Sequence, residues 1–356
     1  MDKIKVLIVD DSAVMRRFLA DALAGFSEIE VVATALDPYI AANKIASHHP
    51  DVMTLDIEMP RMDGLTFLSK LMVANPLPVI MVSSMTDKGA SETVRALEYG
   101  AVDFILKPSL RSDADRDDFA RSLAEKIIMA SKSRVKRRKA PSAPSIIVEE
   151  KHTADVILSK NDPGRFRTRS ERIIAIGAST GGTEVIDEIL MNIPDTLPGI
   201  VITQHMPEKF TDAFARRVND KSRLMVKEGA NGDRVYKGTA LVAPGGRHMM
   251  LRADSNGYWV EVVEGPPVNR HKPSVDVLFR SVSQTAGKSA VGVICTGMGD
   301  DGARGLLEMK EAGAVTLGQN EASCVVYGMP REAMKLGAVD MEKDVRGIIE
   351  YLKTLE

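Results

Sequence analysis

Cysteine is almost missing from this chain: among 356 residues only Cys295 and Cys324 occur, too few for a disulfide framework. Nor does the N-terminal MDKIKVLIVDD look like a signal peptide, since acidic residues stand where the apolar run would be, so a reducing cytoplasm is the expected location. Apolar stretches of the ~18 residues that a membrane helix needs are lacking, and no membrane insertion is expected. Net charge is small, -2, and by itself argues for no partner. No repeat of solenoid period occurs. What remains is ordinary globular material, 44% hydrophobic and 27% charged, enough for real cores. At roughly 150 residues per domain, the length favours two domains over one.

Charge is uneven along the chain. Residues 1–125 carry 13 basic and 20 acidic side chains, whereas 126–170 carry 12 basic and 4 acidic. That middle stretch, with KSRVKRRKAPSAPSIIVEEKHT and SKNDPGRFRTRS, has clustered Lys and Arg, scattered Pro and Ser, and no sustained periodicity, which is the composition of a linker. A nucleic-acid patch is the competing explanation. Aromatic residues for stacking on bases are nearly absent there and no binding module adjoins it, so no nucleic-acid partner is expected.

Before the linker, buried-type runs alternate with amphipathic ones: KVLIVDD, SAVMRRFLADALAGF, EVVATA, PYIAANKIASH, DVMTLDIE, GLTFLSKLMVA, PVIMVSS, SETVRALEYG and AVDFILKP. Five strands separated by helices predict a doubly wound parallel sheet, with ligands beyond the strands' carboxyl ends. Those ends carry Asp10 and Asp11, Asp56, Ser83 and Lys107. Three converging carboxylates repel one another and call for a cation. Mg²⁺ suits oxygen ligands, waters and a phosphate, and lets a carboxylate attack a phosphoryl donor, with Lys107 placed to bind the transferred group. Capping of the next helix is the plainer role for Asp10 and Asp11, but it accounts for neither Asp56 nor Lys107.

The segments VLIVDDS, MTLDIEMPRMDG, PVIMVSS and DFILKP resemble the receiver domain of two-component response regulators, over about 120 residues. This resemblance implies that Asp56 is the phosphoacceptor, Asp11 a direct Mg²⁺ ligand, Asp10 an outer or water-mediated one, and Glu58 a backbone-carbonyl ligand. It also puts Ser83 and Phe104 at the family's switch positions. The implied mechanism is a population shift in which a phosphoryl group on Asp56 recruits the Ser83 hydroxyl and moves the face around Phe104.

From residue 171 the alternation resumes as RIIAIGAS, GTEVIDEILMNI, GIVITQHM and FTDAFARRVND, and closes with SAVGVICTGMG, DGARGLLEMKEAG and AVTLGQN. A second α/β unit is predicted, with a mainly parallel sheet and a hairpin-like insertion near 240–265. Gly177-Ala178-Ser179-Thr180-Gly181 fits G-x-S-x-G between a strand and a helix, where small neighbours permit a sharp turn that presents the serine. There the Thr180 N–H is available to an oxyanion. A phosphate-binding glycine loop is the alternative, although both G-x-G-x-x-G and GK[ST] are missing. His205 ends GIVITQ and would share the carboxyl edge with Ser179, which makes it the general base; His248 and His271 are secondary candidates for lining the site. Asp300 and Asp301 offer the orienting acid, or merely a helix cap.

Together RIIAIGASTGGTEVI, VITQHMP, APGGRHM, HKPSVDVLF and CTGMGDDGARGLLEMKEAGAVTLGQNEASCVVYGMP resemble the catalytic domain of chemotaxis protein-glutamate methylesterases. The implied triad is Ser179, His205 and Asp301, with Thr180 and Met298 on the oxyanion side. Asparagine often precedes the catalytic aspartate in that family, whereas Asp300 stands here. The resemblance further implies a chemotaxis histidine kinase as phosphodonor, methyl-accepting receptors as substrates, deamidation of certain receptor glutamines, and a receiver that covers the catalytic face until Asp56 is phosphorylated. The expected organisation is a receiver over 1–125, a linker over 126–170 and a catalytic domain over 171–356, in a monomer without a catalytic cofactor. Rival readings are a paralogue serving another signalling array, an adaptor without hydrolysis, and a nucleotide-binding oxidoreductase, for which a ribose-binding acid ~20 residues past the glycine turn is missing.

Overall fold

A computed structural model describes residues 3–59, 62–84, 86–108, 113–133 and 171–356. Most of the predicted linker, from residue 134 to 170, lies outside the described residues.

The first unit is a five-stranded parallel sheet in the order β2-β1-β3-β4-β5. Its strands are β1 (Ile4–Val9), β2 (Ile29–Ala35), β3 (Val52–Asp56), β4 (Val79–Ser83) and β5 (Asp103–Leu106). Between and after them run α1 (Ala13–Leu23), α2 (Pro38–His48), α3 (Gly64–Ala74), α4 (Asp87–Glu98) and α5 (Asp113–Ala130). Local chemistry starts most of the helices: Ser12, Asp37, Asp63 and Thr86 each accept the backbone N–H three residues on, a cap worth ~1 kcal/mol. The central strands are buried on both faces, which is why they read as unbroken apolar runs. Helix α5 continues five residues past the boundary expected at 125, because Ile127 and Ala130 are buried against the sheet and keep the helix in the core.

The second unit is a seven-stranded sheet in the order β14-β13-β12-β6-β7-β9-β8. Its strands are β6 (Ile173–Ala178), β7 (Gly199–Gln204), β8 (Met225–Glu228), β9 (Thr239–Val242), β12 (Ala290–Ile294), β13 (Val315–Gln319) and β14 (Met341–Lys343). Every pairing in it is parallel, so the sheet is wholly rather than mainly parallel. The insertion is narrower than expected: β10 (His248–Asp254) and β11 (Gly257–Val263) form a separate antiparallel hairpin, while residues 239–242 belong to the main sheet. Helices α6 (Gly182–Met191), α7 (Phe210–Lys221) and α11 (Val345–Lys353) pack on one side, and α8 (Val275–Ala286), α9 (Ala303–Glu311) and α10 (Met329–Lys335) on the other.

The two units touch through α4, β5, α6 and α7, and one apolar cluster runs through both. At its centre the Phe104 ring stacks on Phe210 with centroids 4.9 Å apart and planes 5° from parallel. Beside it Arg217 bridges Glu98 of the first unit at 2.8 Å and Asp187 at 2.6 Å, and Lys221 also pairs with Glu98. Those two cations hold the Glu98 carboxyl below its ordinary range although burial opposes them. No helix among the described residues is long and apolar enough to cross a membrane.

Candidate functional site

Register decides which side chains meet at the second sheet's carboxyl edge. Strand β6 pairs with β7 so that Ala178 lies opposite Gln204, which leaves Ser179 and His205 as the next residues on neighbouring strands. The His205 N–H donates to the Ala178 carbonyl at 3.2 Å, carrying the pairing one step further. On the other side β12 pairs with β6, Ile294 opposite Gly177, and the chain after it returns over the serine. Gly297 is required there: a Cβ would lie 2.8 Å from the Ser179 Cβ and 2.3 Å from the Met329 sulfur. Met298, the next residue, lines the same cavity as Ser179.

The serine turn is held by backbone and amide bonds. Ser179 N–H donates to the Thr296 carbonyl at 3.0 Å, and its own carbonyl accepts from Gln204 Nε2 at 2.9 Å and from Gly182 N–H at 2.7 Å. Gly181 turns the chain into α6 with a φ of 76°, a left-handed value that suits glycine. Unlike the capped helices of the first unit, α6 has no side-chain cap, and the Gly182 N–H of its first turn is taken by the Ser179 carbonyl.

His205 Nε2 lies 2.8 Å from Asp301 Oδ2. His205 Nδ1 is buried with no hydrogen-bond partner among the described residues. In the serine-protease arrangement the acid holds Nδ1, whereas here Asp301 holds Nε2. Asp301 is buried and Asp300 exposed, which separates the two candidates. Neither caps α9, whose cap position is Gly302. Instead the Asp301 carboxylate sits at the start of α8, accepting from Val275 N–H at 2.7 Å, Asp276 N–H at 3.3 Å, Ser274 Oγ at 2.8 Å and Asn269 Nδ2 at 2.8 Å. Burial alone would raise its pKa, but His205, Asn269 and Ser274 outweigh it and hold the group at about 2.

Of the secondary histidines, only His271 reaches this site. Its ring stacks on His205 with centroids 3.7 Å apart and planes 9° from parallel, and burial next to His205 drops its pKa to about 4, so it is neutral near pH 7. His248 is a buried structural partner, with Nε2 2.9 Å from the Pro266 carbonyl and Nδ1 accepting from Ser274 N–H. Cys295 and Cys324 are both buried, and desolvation raises their pKa values, Cys324 to about 12. Asn269, Ser274, Thr296 and Gln204 escaped the sequence reading. Only Ser274 had a signal, its place in HKPS before a helix.

At the receiver's edge Asp10, Asp11 and Asp56 each present a carboxylate oxygen within 4.8 Å of the others. Lys107 Nζ lies 2.8 Å from Asp56 Oδ2 and 3.4 Å from Asp10 Oδ2, and that Asp10 oxygen is buried without a hydrogen bond. Burial outweighs the single lysine: it raises the pKa of Asp10 and pushes that of Asp56 up to about 6. Three hard oxygen donors facing one ammonium form a set short of positive charge, which fits a divalent cation. Glu58 is exposed beside it. The buried Ser83 hydroxyl is engaged with α4 instead, donating to the Gly89 carbonyl at 3.3 Å and accepting from Thr93 Oγ1 at 2.7 Å. One residue before Phe104, Asp103 accepts from the Thr180 hydroxyl at 2.6 Å and pairs with Lys126 at 2.8 Å, so the first unit grips the residue next to Ser179.

Comparison with known proteins bears on both halves. Residues 174–352 match the CheB methylesterase family and residues 6–116 the response regulator receiver domain. A protein-glutamate methylesterase/protein-glutamine glutaminase of Geobacter metallireducens is 53% identical over 95% of this chain and 92% of its own length. One from Pectobacterium atrosepticum is 51% identical over 99% and 97% respectively. The crystal structure of the Thermotoga maritima CheB methylesterase catalytic domain superimposes with a TM-score of 0.51 at 34% identity, covering 52% of this chain and 98% of that one. A parallel-sheet edge carrying a serine, a histidine and a buried aspartate, behind a receiver domain, is the class that the fold and site define. The chain belongs to the CheB methylesterase family and is an enzyme with a receiver domain ahead of its methylesterase domain.

Proposed function

We propose that this enzyme hydrolyses glutamate methyl esters on methyl-accepting chemoreceptors, and deamidates receptor glutamines, under control of Asp56 phosphorylation in the cytoplasm. The observation that carries the reading is a His205 ring whose Nε2 is fixed by buried Asp301 and whose Nδ1 is unengaged, at the end of the strand that neighbours the one presenting Ser179. Ser179 Oγ attacks the ester carbonyl while Nδ1 accepts its proton. The oxyanion is met by the backbone N–H groups of Thr180 and Met298. Collapse breaks the acyl–oxygen bond, methanol leaves with the proton from Nδ1, and water deprotonated by Nδ1 then frees the carboxylate and Ser179. A glutamine amide follows the same course with ammonia leaving. Asp301 stays ionised throughout and stabilises the imidazolium.

In the receiver, Mg²⁺ held by Asp10, Asp11, Asp56 and the Glu58 carbonyl would supply the charge neutralisation that in-line phosphoryl transfer needs. Asp56 is the acceptor, Lys107 holds the phosphoryl oxygens, and the Ser83 hydroxyl leaves α4 to join them. Loss of the Gly89 and Thr93 bonds then loosens α4 and β5, and with them the contacts of Glu98, Asp103 and Phe104 on the methylesterase domain. A histidine kinase of the chemotaxis system is the phosphodonor. The test is methanol release from methyl-labelled receptor membranes, with and without a small phosphodonor and Mg²⁺. Release should rise with phosphodonor in the wild type, stay at the basal rate in Asp56→Asn, and fall at least ~10³-fold in Ser179→Ala; undiminished release by Ser179→Ala would overturn the mechanism.

A further inference from the structure

Ser179 and Thr180 bring four backbone polar groups into the turn, and three of them are tied down. Ser179 N–H donates to the Thr296 carbonyl at 3.0 Å, and the Ser179 carbonyl accepts from Gly182 N–H at 2.7 Å and Gln204 Nε2 at 2.9 Å. The Thr180 carbonyl accepts from the buried Thr296 hydroxyl at 3.0 Å. Only the Thr180 N–H has no hydrogen-bond partner among the described residues. The Ser179 C=O and the Thr180 N–H are the two ends of one planar trans peptide, so whatever holds the carbonyl aims the N–H the opposite way.

The Gly182 bond belongs to the turn itself. The Gln204 bond does not: it reaches across from the end of β7, from the residue just before His205, and fills the carbonyl's second acceptor position. Gly182 makes room for it, since a Cβ there would lie 2.3 Å from Gln204 Oε1. That Oε1 is buried with no hydrogen-bond partner among the described residues, which packing alone does not explain. An apolar side chain of similar length would fill the space without stranding a polar atom; what the amide adds is the Nε2 bond. Its orientation follows from the Ser179 carbonyl, which needs a donor that Oε1 does not carry.

We propose that Gln204 is a positioning residue of this enzyme: through the Ser179 carbonyl it orients and polarises the peptide whose N–H meets the oxyanion. Two bonds on the carbonyl fix the peptide plane and draw electron density towards oxygen, which strengthens the donor at the other end. Because the oxyanion develops only on the way to the tetrahedral intermediate, the effect falls on kcat and spares substrate binding.

The proposal rests on the serine-hydrolase reading, and the variants keep the two apart. Full-length Gln204→Met and Gln204→Glu, whose side chains have no N–H to donate, are compared with wild type and Ser179→Ala on methyl-labelled receptor membranes with a small phosphodonor and Mg²⁺. Turnover is expressed per Ser179 labelled to completion by a fluorophosphonate, so that misfolded protein drops out of the rate. In both variants kcat should fall ~10–100-fold, less than the loss of an oxyanion donor itself, with KM within twofold of wild type. A kcat per labelled serine within twofold of wild type, however few serines label, would reduce Gln204 to packing and overturn the proposal. So would a raised KM at unchanged kcat, and so would the absence of any labelled serine in both variants, which would make Gln204 a determinant of folding. Wild-type turnover that Ser179→Ala retains would remove the hydrolase reading, and this proposal with it.

Discussion

Two buried aspartates at the ends of two parallel sheets are treated in opposite ways. Asp56 in the receiver is pushed up to about 6, while Asp301 in the methylesterase domain is held at about 2. Burial raises both; what differs is the supply of donors. Asp301 collects a helix start, a hydroxyl, an amide and an imidazole, all from its own domain. Asp56 has one backbone N–H and a lysine that it shares with Asp10. The Asp301 carboxylate is satisfied within its own domain, whereas the set of Asp10, Asp11 and Asp56 is short of positive charge. On the proposed function, a constitutive site and a switch are thus told apart by how fully their carboxylates are satisfied.

The sharpest way to break this comparison is Asp301→Asn. Turnover should fall ~10³–10⁴-fold, since an amide cannot stabilise the imidazolium, with receptor binding preserved. The same variant tests the satisfied state by pH. A carboxyl depressed from 3.8 to about 2 contributes stability, ~2 kcal/mol, that is present above pH 4 and lost as pH falls towards 2. Acid unfolding followed by circular dichroism should therefore lose that component in Asp301→Asn; an unchanged acid limb would show that the donors around Asp301 do not stabilise it.

Asp56 should behave in reverse. Because its pKa of about 6 lies above 3.8, the folded protein keeps a proton that the unfolded chain has released. Stability from this group falls as pH rises from 4 through 6, and is lower by ~3 kcal/mol at pH 7.5. Asp56→Asn should raise the receiver's melting temperature by about 5 °C or more at pH 7.5 and leave it nearly unchanged at pH 4. Added Mg²⁺ should stabilise the wild type at pH 7.5 more than at pH 5, and chelation should abolish phosphodonor stimulation without touching the basal rate. Calorimetry showing no pH dependence in either protein would contradict the charge-deficient reading. The smallest effect belongs to the contact between the regions: Phe104→Ala removes a stack worth ~0.5–1.5 kcal/mol and should raise receptor turnover without phosphodonor about fivefold. No rise would place the restraint elsewhere on the interface.

Much of this was legible in the chain. Apolar runs of strand length alternating with amphipathic ones marked both sheets, because strands buried on two faces must be apolar throughout. The polar residues that interrupt those runs at their carboxyl ends, Asp10, Asp56, Ser83, Lys107, Ser179 and His205, were visible for the same reason. What escaped was the extent of α5, whose apolar residues 127–130 stand just before a basic run and were counted with it, although they belong to the core. Between Asp300 and Asp301 local pattern could not choose, since adjacent acids before a helix look alike until one is buried; only the family resemblance pointed to Asp301. So did Asn269, which lies 32 residues from the carboxylate it bonds.

By itself, then, the sequence determined the two parallel sheets, the polar residues at their edges and the order of the domains, because hydrophobic periodicity and turn chemistry act over a few neighbours. Tertiary structure alone decided that Asp301 holds Nε2 and leaves Nδ1 without a partner among the described residues. It also decided that Asp103 grips Thr180, and that Phe104 closes on Phe210. These are pairings between residues 77 to 106 positions apart, made or refused by sheet register and domain docking, which no local pattern encodes.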